Sequence, residues 1–124
     1  MKAFSDLEQS RKLAEFLPLE SADMYWWSSG KRYYIEAMDD GDFNEEEGHI
    51  RAWSLAALIN IIPQELFDGE YIINITEGID NKWIITYDHY ENRNHSFYGL
   101  SAGADNLVDA CYEMIIKLHE LNLL

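Results

Sequence analysis

EYIINITEGIDNKWIITYD, residues 70 to 88, decides the fold. Two runs rich in β-branched and aromatic residues flank Ile79-Asp80, which predicts an antiparallel hairpin. Alternation puts Tyr71, Ile73 and Ile75 on one face, where they can meet Trp83, Ile85 and Tyr87 of the second run. Downstream, ENRNH is the next turn and HSFYGLS a shorter strand. ADNLVDACYEMIIKLHEL then predicts a helix from about 105 to 121. Its Leu107, Cys111, Met114, Leu118 and Leu121 form one stripe at helical spacing.

Upstream, IRAWSLAALINIIP predicts a second helix from about 55 to 62, with Ser54 as N-cap and Trp53 and Leu58 placed as a hydrophobic staple. It is apolar on nearly every side, which predicts burial, and Pro63 ends it. MYWWSS and KRYYIEAM, joined at Ser29-Gly30, read as another hairpin. Ser5-Asp6-Leu7-Glu8 has capping-box form and predicts a first helix from about 6 to 17, stopped by Pro18. The resulting order, α-β-β-α-β-β-β-α with short links between consecutive strands, predicts an α+β fold. It has an antiparallel sheet of three to five strands with helices packed on it, the second and third covering one face. At 124 residues the chain, 1–124, reads as a single domain.

Composition narrows the function classes. With 48% hydrophobic and 14% aromatic residues the chain has enough apolar side chain to order itself. One Cys excludes an internal disulfide. MKAFSDLEQS lacks an apolar run of signal-peptide length, and no segment approaches the ~20 apolar residues of a membrane helix, so a soluble cytoplasmic protein with no membrane contact is expected. The net charge of −14, from 23 Asp plus Glu against 9 Lys plus Arg, disfavours direct nucleic-acid binding, because it repels phosphates. Half of that excess lies in Glu36, Asp39, Asp40, Asp42, Glu45, Glu46 and Glu47, a stretch with no base.

Three pieces, LEQSRKLAEFLPLESADMYW, AWSLAALINIIP and ADNLVDACYEMIIKL, in this order and at these separations, resemble a group of small uncharacterised proteins encoded by phages and prophages of gut bacteria. The last sixty residues are more distantly similar to the phage domain described as an alpha-beta-alpha sandwich. The resemblance implies a phage or prophage origin in a host cytoplasm. It implies no activity and supplies no catalytic residue.

Several motifs invite sharper readings and fail on spacing. Asp40-x-Asp42-x-Asn44 opens like a calcium loop, but position six is Glu45 where the turn wants Gly, and position twelve is Arg51 where a bidentate Glu is needed. Gly99-Leu100-Ser101-Ala102-Gly103 matches the G-x-S-x-G elbow of serine hydrolases. The sole downstream imidazole, His119, would lie ~20 Å away along the next helix at ~1.5 Å per residue, beyond any proton transfer. Cys111 sits inside the apolar stripe and reads as a core thiol. His89 and His95 flank a turn near Asp88 and Glu91, with no further ligand at a recognisable spacing. No catalytic residue, cofactor or metal is therefore assigned.

What remains is a ring-rich, charge-biased region. Tyr25, Trp26, Trp27, Tyr33 and Tyr34 put rings on both faces of the first hairpin. One set can enter the core, and the other needs cover from the first helix, from a second copy in a homodimer, or from a partner. The expectation is a non-enzymatic accessory protein that binds a host or phage protein through Tyr25, Trp26, Trp27, Tyr33, Tyr34, Asp39, Asp40, Asp42, Glu45, Glu46 and Glu47. Two alternatives stand beside it: an acidic mimic of nucleic acid that blocks a host defence protein, or a small-ligand or enzymatic site assembled from distant residues such as His89, His95 and Asp88.

Overall fold

The computed structural model describes residues 1–39 and 41–124, with Tyr98 and Gly99 described only by their place in a strand. The elements are α1 (Leu7–Ala14), β1 (Met24–Ser28), β2 (Tyr33–Ala37), β3 (Ile50–Ala52), α2 (Leu55–Ile61), β4 (Glu65–Leu66), β5 (Tyr71–Glu77), β6 (Trp83–His89), β7 (Ser96–Ala104) and α3 (Leu107–Glu120). The fold is α+β and its sheets are antiparallel, as the alternation and short links predict. Contacts divide the chain into two compact units, residues 3–58 and residues 59–124 with Met1 and Lys2, and the division falls within α2.

In the first unit the hairpin heads a sheet of its own, order β2-β1-β3, because Ile50–Ala52 pairs with β1 on the side away from β2. This short strand is not separable in the sequence from the acidic stretch before it. α1 packs against β3. Its cap is Asp6 rather than Ser5: Asp6 accepts from the Gln9 backbone N–H at 2.8 Å while Gln9 Oε1 accepts from the Asp6 N–H at 3.1 Å. Ser5 is buried and otherwise engaged. Its Oγ lies 2.7 Å from that of Ser10 and accepts from the Trp53 N–H at 3.0 Å, and its own N–H donates to the Trp53 carbonyl at 2.8 Å. These bonds tie the N-terminal segment beside the fully buried Trp53.

α2 begins as its sequence predicts, with Ser54 Oγ accepting from the Ala57 N–H at 3.2 Å and with Trp53 and Leu58 both buried. The expected all-round burial does not occur. Leu58 is the only buried residue of the helix and Ile59 is 40% exposed. With seven residues, the helix is too short for its apolar character to require cover on every side.

In the second unit the order is β4-β5-β6-β7. Ile73 stands opposite Tyr87 and Ile75 opposite Ile85, as the alternation predicts, while Tyr71 meets His89 and Trp83 meets Glu77. α3 packs on β6 and β7, burying Val108, Cys111, Met114, Ile115 and Leu118 against Ile85, Tyr87, Leu100 and Ala102. At ~1.5–3 kcal/mol for each large apolar side chain removed from water, this face, rather than helix propensity, docks α3. Asn106 caps it by accepting from the Asp109 N–H at 2.8 Å, so the helix starts two residues later than the sequence suggests. Among the described residues no helix is long and apolar enough to cross a membrane.

Candidate functional site

The acidic stretch is built into the first unit. Glu45–Glu47 form a 3-10 turn whose N-cap, Asn44, accepts from the Glu46 N–H at 2.9 Å, and Gly48 ends it at φ +85°, a left-handed angle that suits glycine. His49 Nδ1 accepts from the Asn44 N–H at 3.0 Å, closing the loop. His49 stacks on Tyr25 with centroids 5.1 Å apart and Phe43 meets it edge-on at 5.7 Å, which fixes the segment to one face of the hairpin. Arg51 Nε donates to Glu45 Oε1 at 2.8 Å and its Nη1 to the Leu17 carbonyl at 2.9 Å. The two positions that spoil the calcium spacing therefore pair with each other. Asp40 lies outside the described residues. Asp39, Asp42, Glu45, Glu46 and Glu47 are all exposed.

The rings are mostly engaged within the unit. Tyr25 is 3% exposed and donates to Glu36 Oε2 at 3.0 Å, so it is a core residue rather than a contact residue. Burial and the neighbouring Glu36 carboxylate raise its phenol pKa. Trp26 faces the other way, its indole N–H donating to the Ser5 carbonyl at 3.1 Å and its ring meeting the edge of Phe4 at 5.6 Å. The N-terminal segment thus supplies the cover that the sequence left open between a helix, a second copy and a partner. Trp27 stacks on its cross-strand neighbour Tyr34 at 4.7 Å. Arg32 lies over the Tyr34 ring at 4.9 Å, and Arg11 over the exposed Tyr33 at 5.8 Å. Tyr34 is left half-buried on the hairpin face that carries the acidic segment, while the neighbouring Tyr33 points to the opposite face beside Arg11.

The remaining candidates separate. All of Gly99-Leu100-Ser101-Ala102-Gly103 lies within β7, not on a strand-to-helix elbow, and the Ser101 carbonyl accepts from Lys117 Nζ. Asp88 and His89 are consecutive in β6, so they point to opposite faces. Asp88, 6% exposed, accepts from Asn74 Nδ2 (3.0 Å), Thr86 Oγ1 (3.0 Å) and Ser96 Oγ (2.8 Å). The His89 and His95 rings lie 6.3 Å apart beside Tyr71. Among the described residues no group of three His, Cys, Asp or Glu is arranged to hold a metal ion.

Cys111 is fully buried and its thiol pKa is pushed up from 9.0 to about 12 by desolvation. The fold favours the protonated thiol, so this contribution to stability is complete below pH 9 and is lost as pH climbs toward 12. An aromatic disulfide reagent should therefore label native protein at pH 8 no faster than the chain opens, and Cys111→Ser should flatten part of the alkaline loss in unfolding midpoint. Rapid labelling of folded protein would refute the assignment of Cys111 as an inert core thiol.

A further constellation was not visible in the sequence. Phe67, Asp68, Gly69, Glu70, His89 and Tyr90 line an open recess of ≈ 500 Å³ at the β4–β5 loop. Its one sequence signal is the Asp68-Gly69 pair, a turn dipeptide that says nothing about the distant His89 and Tyr90. Compared with known proteins, the chain matches no family model, no curated protein and no solved structure.

Proposed function

We propose that this chain is a phage or prophage accessory protein that acts without catalysis, by presenting an anionic surface to a basic protein. The contact surface is Asp39, Asp42, Glu46 and Glu47, with Tyr34 on the hairpin face against which that segment is fixed. The observation that carries this reading is the fixed geometry of the acidic stretch. A cap, a closing imidazole, two ring contacts and the Glu45–Arg51 pair hold carboxylates that a mobile loop would leave scattered. A preformed array loses less conformational entropy on binding, and charge complementarity adds specificity and a faster encounter. Direct contact with a nucleic-acid backbone is disfavoured by the same charge, whereas a protein groove built for phosphate suits it. Imitation of nucleic acid toward a host defence protein is the narrower form of the proposal.

The test is affinity capture from host lysate with mass spectrometry, repeated with Asp42→Asn/Glu46→Gln/Glu47→Gln. Of the three only Glu47 touches the bracing, its Oε2 3.8 Å from His49 Nε2, and Gln keeps an oxygen there, so the fold is retained. At roughly 0.2–1 kcal/mol per exposed charge contact, the triple variant should weaken capture about tenfold. Salt of about 0.5 M should do the same, by screening. Capture that survives both changes would overturn the proposal. Trp26 and Trp27 are poor probes, because Trp26 holds the N-terminal segment and Trp27 stacks on Tyr34.

A further inference from the structure

The acidic stretch is closed by an imidazole, the side chain whose charge ordinarily changes between about pH 5 and 8. His49 Nδ1 accepts from the Asn44 backbone N–H at 3.0 Å, its ring stacks on Tyr25 with centroids 5.1 Å apart, and its side chain is only 16% exposed. A backbone N–H can only donate, so this bond exists only while Nδ1 keeps its lone pair and the ring proton sits on Nε2. Protonation sets two donors face to face. The groups around the ring decide where it turns when charged. Glu45, Arg51 and Arg11 line one recess with His49, but Glu45 is taken by Arg51 at 2.8 Å and Arg11 donates to the Tyr33 hydroxyl at 3.3 Å. Tyr25 of β1, against the ring, donates to Glu36 of β2 and lies in the field of Asp39 and Asp42. Glu47 Oε2 is 3.8 Å from Nε2 and has no guanidinium on it among the described residues, so it is the carboxylate left to receive the charged ring. The 3-10 turn itself does not depend on the imidazole. Asn44 Oδ1 accepts from the Glu46 N–H at 2.9 Å, the Asn44 carbonyl from the Glu47 N–H at 3.1 Å and the Glu45 carbonyl from the Gly48 N–H at 3.0 Å.

We propose that His49 is a pH-operated clasp on the acidic stretch. Neutral, it fastens residues 41–44 to the hairpin; charged, it lets go of Asn44, pairs with Glu47 and frees that segment while the turn at 45–47 persists. Asn44 is exposed, so its N–H passes to water and opening costs little beyond one hydrogen bond. Acid thereby weakens the anionic surface twice, by placing a positive charge among the carboxylates and by undoing the brace that holds Asp42 in place. What the clasp does to binding rests on the reading of the acidic stretch as a contact surface; the clasp itself does not.

The test uses the free ¹⁵N-labelled full chain and no partner, so its failure would leave the contact surface standing, and a failed capture would leave the clasp standing. The pH is lowered from about 8 to about 5 while the ring nitrogens of His49 and the amides of residues 41–48 are followed. The expected result is an unprotonated Nδ1 at the upper pH and an Asn44 amide that shifts with the same midpoint as the His49 ring. The protection of that amide against hydrogen exchange, relative to the unfolded chain at the same pH, should fall roughly threefold to tenfold, the size of one hydrogen bond. His89 Nδ1 likewise accepts from the N–H groups of Glu91 (3.2 Å) and Asn92 (3.4 Å), so its own response falls at those amides, outside the segment followed. His49→Phe keeps a ring for Tyr25 but offers neither acceptor nor proton, and its residues 41–44 should show the low protection at both ends of the titration. A proton on Nδ1 at the upper pH, an Asn44 amide indifferent to the titration of His49, or the same acid response in His49→Phe would overturn the proposal.

Discussion

Trp53→Ala should remove about 3–5 kcal/mol of stability, the range for deleting a large buried aromatic side chain. Trp53 is the largest fully buried side chain among the described residues. Its loss opens a cavity in the first unit and leaves Ser21 Oγ without the indole N–H that reaches it at 3.0 Å. The cavity cannot close easily. The backbone at residue 53 is tied to Ser5, the Leu55 N–H donates to the Ala3 carbonyl at 2.9 Å, and Ser54 is held by the Asp23 carboxylate through both its N–H and its hydroxyl. In urea, where small proteins lose about 1–3 kcal/mol per molar, the midpoint should fall by roughly 1–5 M. Far-ultraviolet circular dichroism and amide spectra of residues 3–58 would follow it. Ile79→Ala, at a fully exposed hairpin tip, should change nothing measurable and serves as the control. A loss below about 1 kcal/mol for Trp53→Ala would show that this residue does not organise the unit.

Asp88→Ala should cost about 2–4 kcal/mol, because hydrogen bonds to a charged acceptor contribute more than neutral ones and three donors converge on this carboxylate. Asn74, Thr86 and Ser96 all donate to this carboxylate, and its removal leaves one amide and two hydroxyls without their shared acceptor. A double-mutant cycle separates this network from a generic packing effect. Thr86→Val should cost about 1 kcal/mol in the natural protein and close to nothing once Asp88 is Ala, a coupling of about 1 kcal/mol. Strict additivity in denaturant unfolding would mean that the Thr86 bond contributes nothing to holding β6. In the sequence Asp88 is one carboxylate near His89 and His95 with no ligand set completed around it, and in the structure it is the acceptor that joins β5, β6 and β7.

Local signals were legible wherever neighbours in sequence carry the physics. The β5–β6 hairpin follows from two β-rich runs and its pairs Ile73–Tyr87 and Ile75–Ile85 from simple alternation. The Ser54 cap of α2 was equally plain, and the stripe of α3 in part: Cys111, Met114 and Leu118 are buried, whereas Leu107 is half-buried and Leu121, past the helix, is 50% exposed. At α1 the competition between Ser5 and Asp6 was not, because the decision came from Trp53 and Ser10 claiming the serine. β3 escaped notice because three residues carry no period, and its strand exists only through pairing with β1.

The candidate surface divides in the same way. The sequence by itself determined the α+β class, the hairpins, the amphipathic closing helix, the concentration of charge in residues 36–47 and the failure of the calcium and hydrolase spacings, since each depends on residues within one or two turns of chain. Tertiary structure alone decided that the acidic stretch is pinned by Phe43 and His49 on Tyr25, that Trp26 is covered by the N-terminal segment, that Asp88 and His89 point apart, and that Phe67 and Tyr90 share a recess. These depend on which distant segments compete for the same donors and the same apolar surface. That competition is settled only when the whole chain has packed, because a ring or hydroxyl carries no mark in sequence of the partner that will claim it.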